Sequence, residues 1–210
     1  MSARTIAVFS AGILAAGLAI ATPTLAAEFI SNGNFETGTF AGWTATGNVG
    51  VAPTAVYAAY GLGSSAFGNY LVGFNGGDLA PNGVINQAIT TSAGQSYTLS
   101  FDYAVTSGGA QSLIASVLDA NTLATISTQT VFTTLSSPTT GGFSFTALSS
   151  GTIVRFSDVA TNPTNGQDIG LDNVSVTGTA LPEPASWALM IVGFGLVGGA
   201  VRRRSQAIAA

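Results

Sequence analysis

The chain contains no cysteine, no histidine and no lysine. Without cysteine, disulfides, thiolate nucleophiles and zinc–thiolate centres are excluded together. Without histidine, the usual general base and the commonest transition-metal ligand are gone. Charge is scarce as well. Only 7% of the 210 residues are Asp, Glu, Lys or Arg, against about 25% in an average soluble domain. Arg4 lies near the start and Arg202, Arg203 and Arg204 near the end, which leaves Arg155 as the single cation between them. The acids Glu28, Glu36, Asp78, Asp102, Asp119, Asp158, Asp168 and Asp172 all fall in that middle region, giving it a net charge of about −7. A phosphate backbone demands clustered Lys and Arg, so nucleic acid is excluded as a partner. A divalent cation is the more fitting one.

What the chain does have is 27 glycines and abundant Ser, Thr and Asn. That mixture, with Val and Phe, suits short strands joined by tight turns. The two ends are different. Residues 1–27 start with Met-Ser-Ala-Arg-Thr, run apolar from Ile6 to Ala21, and end on small residues at Ala26 and Ala27. A positive start, an apolar stretch and a small-residue exit make a secretory signal peptide, with cleavage after Ala26 or Ala27. An uncleaved membrane anchor is the alternative.

Residues 180–210 hold Pro182-Glu183-Pro184, a charge-free apolar run from Ala185 to Val201, and the cluster Arg202-Arg203-Arg204. The 17-residue run covers roughly 25 Å as a helix, enough for a slightly thinned bilayer. The arginines should stay cytoplasmic, which leaves the middle of the chain on the outer face of the inner membrane. With Trp187-Ala188 following Pro-Glu-Pro, the segment resembles the PEP-CTERM sorting signal in its PEPxxWA form. That resemblance implies an exosortase-type sorting protease in an exopolysaccharide-making Gram-negative host, with the chain freed to the cell surface or extracellular matrix. Prolines on both sides of Glu183 hold the chain extended, the shape a protease needs. The alternative is a plain C-terminal membrane helix.

Between the ends, residues 28–179 show no helical periodicity. Tyr97, Leu99, Phe101, Tyr103 and Val105 share one face of a strand, and Thr98, Ser100, Asp102 and Ala104 the other. Strands are also predicted over 70–74, 84–90, 112–119, 123–132, 142–147, 152–158 and 169–177. Turn pairs such as Gly-Gly and Asn-Gly punctuate the gaps. The expectation is all-β: a jelly-roll β-sandwich of about eight to ten strands, flanked by an N-terminal signal helix and a C-terminal transmembrane helix.

Asn32-Gly33-Asn34-Phe35-Glu36 with Gly42-Trp43, then Ala93-Gly94-Gln95-Ser96-Tyr97-Thr98-Leu99-Ser100-Phe101, then Leu171-Asp172-Asn173-Val174-Ser175-Val176, resemble the opening, central and closing strands of carbohydrate-binding-type jelly rolls. In those modules the first and last strands lie side by side and often carry a structural calcium. The resemblance therefore nominates Glu36 and Asp172 as calcium ligands, with backbone oxygens near Asn34. Two carboxylates plus carbonyls suit that ion. The alternative makes Glu36 a solvated turn residue and pairs Asp172 with a turn amide.

A sugar surface needs exposed aromatic rings. Trp43 follows the fold motif and is expected to pack on the sandwich end. Tyr57 and Tyr60, in a stretch with weak strand signals, are the better ligand-binding candidates, with Tyr70 further along. Paired carboxylates cleave glycosides without histidine, but no motif marks Asp102, Asp158 or Asp168 as such a pair. Arg155 is expected to pair with an acid across strands, an anion-binding role being the alternative. The leading expectation is an exported, non-catalytic surface or matrix protein associated with exopolysaccharide and binding carbohydrate. A structural or adhesive module for protein partners or itself comes second, and a glycoside-cleaving enzyme third.

Overall fold

Period-two patterning passes into strands almost position for position. The computed structural model describes residues 26–58, 62, 67–106, 110–134, 136–159, 168–179, 190–195 and 197. In chain order the elements are β1 (Ala26–Glu28), β2 (Thr44–Thr46), β3 (Val49–Pro53), α1 (Thr54–Ala58), β4 (Tyr70–Phe74), β5 (Val84–Thr90), β6 (Ser96–Val105), β7 (Gln111–Asp119), β8 (Thr125–Thr133), β9 (Thr139–Thr146), β10 (Gly151–Asp158) and β11 (Ile169–Thr179). A 3-10 turn at Gly76–Asp78 follows β4. One antiparallel sheet runs β3-β4-β11-β6-β9, with β1 added beside β11; the other runs β2-β5-β10-β7-β8.

The inward faces fill the space between the sheets. Tyr97, Leu99, Phe101, Tyr103 and Val105 of β6 meet Val154 and Phe156 of β10, all 7% exposed or less. Phe101 and Phe156 pack edge to face at 5.0 Å. With no disulfide available, this core carries stability. Each fully buried Val, Leu, Ile or Phe contributes roughly 1.5–3 kcal/mol.

β11 lies in the middle of its sheet. It pairs with β6 along nearly its whole length, with β4 at Gly170 and Leu171, and with β1 at residues 177–179. A bulge between Asp172 and Ser175, with Asn173 at φ 50°, shifts the alternation by one. Leu171 before it and Val174 and Val176 after it all face the core. Without the extra residue the two valines would point to the outer face.

Among the described residues eleven strands stand where eight to ten were expected. The additional ones are the short β1, β2 and β3, and α1 breaks the all-β expectation of residues 28–179 for one turn. Of the expected signal peptide 1–27, residues 1–25 fall outside the described residues, and Ala26 and Ala27 are strand. Of the expected membrane helix 185–201, residues 190–195 are helical and exposed. No helix among the described residues is long and apolar enough to cross a membrane.

Candidate functional site

The segment Asn32 to Glu36 forms a tight turn docked on the last strand. Asn32 and Phe35 both have φ 50°. A Cβ on Gly33 would overlap the Val174 carbonyl oxygen, and the Val174 amide donates to the Gly33 carbonyl at 2.9 Å. Only glycine allows so close an approach. Phe35 is fully buried against Trp43 at 5.5 Å between ring centres, and Trp43 Nε1 donates to the Asn32 carbonyl at 3.2 Å. Trp43 thus packs on the sandwich end, as the fold motif implied.

This turn aims Glu36 at the residues that lead into β4. Its Oε1 accepts from the Asn69 amide at 2.6 Å and the Tyr70 amide at 3.1 Å, and its Oε2 accepts from Asn69 Nδ2 at 2.7 Å. The Asn69 side chain first, and the Tyr70 amide second, hold the Glu36 carboxyl below its ordinary range. A Cβ on Gly68 would collide with Glu36 Oε1. Glycine there leaves room for the carboxylate.

Asp172 lies close by and is wholly buried. Burial above all, and then the charge of Glu36, push its carboxyl up to about 7, against a partial counter-effect from the Asn173 amide. Its Oδ1 accepts from that amide at 2.7 Å, the Gly68 amide lies near enough to favour the charged form as well, and Oδ2 is buried without a well-formed hydrogen bond. Asp102 on β6 adds a third negative influence. It accepts from Thr140 Oγ1 at 2.6 Å and Asn173 Nδ2 at 3.0 Å. A poorly satisfied carboxylate oxygen beside other carboxylates must either take a proton or face a cation. The donors are all oxygen, which suits a hard ion such as calcium. No three His, Cys, Asp or Glu side chains among the described residues could hold a metal by themselves. The pair that the resemblance nominates, Glu36 and Asp172, would need backbone oxygens to complete a calcium shell. Glu36 is a part-exposed turn residue that accepts from the Asn69 and Tyr70 amides, and Asp172 accepts from the Asn173 amide at the bulge, as the alternative to calcium also had it.

The other sequence-predicted residues fare differently. Tyr57 is 4% exposed, packed in α1 within a satellite cluster with Leu62, Phe67, Leu71 and Ala104. The expectation of an exposed ring is corrected, because the α1 turn folds its apolar side onto the outer face of β4 and β6. Tyr60 lies outside the described residues, as do Pro182, Glu183, Pro184, Trp187, Ala188, Arg202, Arg203 and Arg204. Tyr70 is half-buried. Ala26 and Ala27 form β1 and pair with Thr179 and Gly178. Asp158 and Asp168 are buried, the latter accepting from Asn75 Nδ2 at 2.8 Å. Asp119 caps its own turn through the Asn121 and Thr122 amides and the Thr122 hydroxyl. Arg155, expected to face an acid, has Asn86 and Ser116 as its cross-strand neighbours. That pairing follows from register, which composition does not reveal.

Sequence reasoning missed Glu28. Its Oε1 accepts from the Phe29, Ile30 and Val176 amides, and its Oε2 from the Ser175 hydroxyl. It missed Gln87 too, whose amide both donates to and accepts from the Ser31 backbone. Neither residue sits in a readable motif. Their partners are 147 and 56 positions away.

Two stacked antiparallel sheets, with the opening strand beside the closing one, define a jelly-roll β-sandwich. Residues 27–163 match the model of the family CBM_4_9, carbohydrate binding domain, and the chain belongs to that family. Residues 180–204 match the PEP-CTERM protein-sorting motif, which indicates export and exosortase-dependent placement at the surface or outside the cell. Among solved structures, the N-terminal CBM22-1-CBM22-2 tandem domain of Paenibacillus barcinonensis Xyn10C matches with a TM-score of 0.50 at 14% identity, over 74% of this chain and 50% of that one. An arabinose-bound α-L-arabinofuranosidase, MgGH51, gives 0.50 at 15% identity, over 71% of this chain and 26% of that one. A structure described as "CBM4 structure and function" gives 0.47 at 18% identity, over 71% and 99%. At such identities the likeness is one of fold. No curated protein matches the chain.

Proposed function

We propose that this chain is an exported, non-catalytic polysaccharide-binding protein of the cell surface or matrix, associated with exopolysaccharide. One observation carries the reading: a carbohydrate binding domain over residues 27–163 is joined in the same chain to a sorting motif over residues 180–204. In this reading a signal peptide over 1–27 is cut after Ala26 or Ala27. The apolar run 185–201 anchors the chain in the inner membrane until an exosortase acts near Pro182-Glu183-Pro184. Burial of Asp158, Asp168 and Asp172 supports the non-catalytic part. A general acid and its partner must reach a glycosidic bond across an open cleft.

We further propose that Glu36 and Asp172 hold a structural calcium, on the support of the buried Asp172 Oδ2, which lacks a well-formed hydrogen bond. The ion would neutralise charge and tie the Asn32–Glu36 turn to β11; it would not take part in chemistry.

The test is twofold. Intact mass of the protein recovered from culture should correspond to a chain that begins at Ala27 or Glu28 and ends near Pro182 to Pro184. The same protein should be retained on the host's own exopolysaccharide. A full-length mass together with no retention on any polysaccharide would overturn the reading.

A further inference from the structure

Arg155 stands in the middle of the outward face of the β2-β5-β10-β7-β8 sheet. Register places Thr44, Asn86, Arg155, Ser116 and Thr128 in one row across all five strands. Neighbouring strands lie about 4.8 Å apart, so the row runs about 19 Å. Every member is polar, and the Ser116 and Thr128 hydroxyls are 3.1 Å apart.

The guanidinium has five N–H donors and no acceptor of its own. Arg155 is the single cation in residues 28–179. It makes no ion pair among the described residues, and its buried Nε has no acceptor. The side chain as a whole is only part-buried. Among the described side chains, no acid stands on the outward face of these five strands. Glu28, Asp102 and Asp172 belong to the other sheet, Glu36 to the turn before β2, and Asp119, Asp158 and Asp168 are buried at 2%, 7% and 1% exposure. Charges further than a Debye length, about 8 Å at physiological salt, are largely screened. The local field is therefore set by Arg155 and not by the net charge of the domain.

The face is poor in rings. Phe132, 61% exposed, is the one exposed aromatic among the described residues of these five strands. Neutral sugars depend on ring stacking in such shallow sites. A planar guanidinium flanked by an amide and hydroxyls instead suits a carboxylate, which it grips with two parallel hydrogen bonds.

We propose that this face is the polysaccharide-binding surface, and that its ligand is an acidic polysaccharide whose uronate carboxylate is taken by Arg155. The inference rests on the carbohydrate-binding reading above and names the ligand class. The row of Asn86, Ser116 and Thr128 then serves the hydroxyls of neighbouring sugar units.

The test uses the full chain in mild detergent and three probes: polygalacturonate, the same polymer after carboxyl reduction, and dextran sulfate. Affinity for polygalacturonate should fall about tenfold on carboxyl reduction, and about tenfold for Arg155→Gln, with Arg155→Lys recovering part of it. Ser116→Asp supplies an internal partner for Arg155, and should abolish binding while leaving the fold intact. Thr98→Ala, on the other sheet, should change nothing. Equal binding of the acidic and reduced polymers, untouched by Arg155→Gln, would sink the acidic-ligand proposal and spare sugar binding. Binding of dextran sulfate in preference to polygalacturonate would overturn the carboxylate assignment. Failure to bind any polysaccharide would remove the carbohydrate-binding reading itself.

Discussion

Asp172 of β11 and Asp102 of β6 stand directly opposite each other in the sheet register. Like charges at such positions destabilise a sheet. Here Asn173 Nδ2 reaches across to Asp102, while Asp172 turns under the Gly68–Tyr70 segment toward Glu36. The fold thus sets a buried carboxyl, Asp172, beside two part-exposed ones, Glu36 and Asp102, and this arrangement bears on how stability responds to pH.

In chelator, the protein should be more stable at pH 5 than at pH 8. The folded Asp172 carboxyl is raised to about 7 from 3.8, so its penalty is absent below the unfolded value and complete above the folded one. Stability is therefore lost as pH rises between about 4 and 7. Glu36 and Asp119 act in the opposite sense, being lowered in the folded state, but their contribution disappears only at more acidic pH. Melting curves at the two pH values, repeated with calcium, check this. Calcium should raise Tm at pH 8 by several degrees. Asp172→Asn should abolish that response and be at least as stable as wild type in chelator. A Tm at pH 8 that ignores both calcium and the substitution would remove the buried charge from the account.

Gly68→Ala should lower Tm by several degrees and weaken the calcium response, because the new methyl group meets Glu36 Oε1. Thermal melting of the variant with and without chelator measures both. An unchanged calcium shift would separate Gly68 from the site.

Phe156 lies between Trp43 and Phe101, with ring centres at 6.4 and 5.0 Å, and is fully buried. Phe156→Ala should cost about 3–5 kcal/mol in denaturant unfolding. Phe132→Ser, on an exposed strand position, should stay within about 0.5 kcal/mol. Similar losses for the two variants would contradict the inward and outward assignment of these strands.

Tyr57→Ala should reduce stability without changing retention on polysaccharide at a temperature where the variant is folded. Its ring is packed on Leu71 and Ala104, and a selective loss of binding would return it to the ligand surface.

The long strands were legible because each repeats its period over several residues. Tyr97 to Val105 is readable from side chains alone, and β4 and β5 fall where the pattern puts them. The three-residue β1 and β2 are too short to show a period. In α1, Thr54 and Tyr57 make one buried contact patch in a single turn, which is no longer than a loop signal. The bulge at Asn173 hid the parity change that brings Val174 and Val176 inward. Glu36 and Asp172 came from family motifs, since 136 positions of sequence say nothing of their proximity. The neighbours of Arg155 were illegible for a related reason: a one-residue slip in register would exchange Asn86 and Ser116 for other partners.

The position of β11 has a mechanical consequence. Its last residue, Thr179, directly precedes the sorting motif at residues 180–204, and the strand before it is flanked by β6 on one side and by β4 and β1 on the other. Tension applied through the tail therefore runs along a strand whose ladder bonds lie across the direction of pull. Those bonds would be loaded together in shear and not unzipped one by one, so any pull that reaches the domain through residue 179 meets an interior strand of the sheet and not an edge.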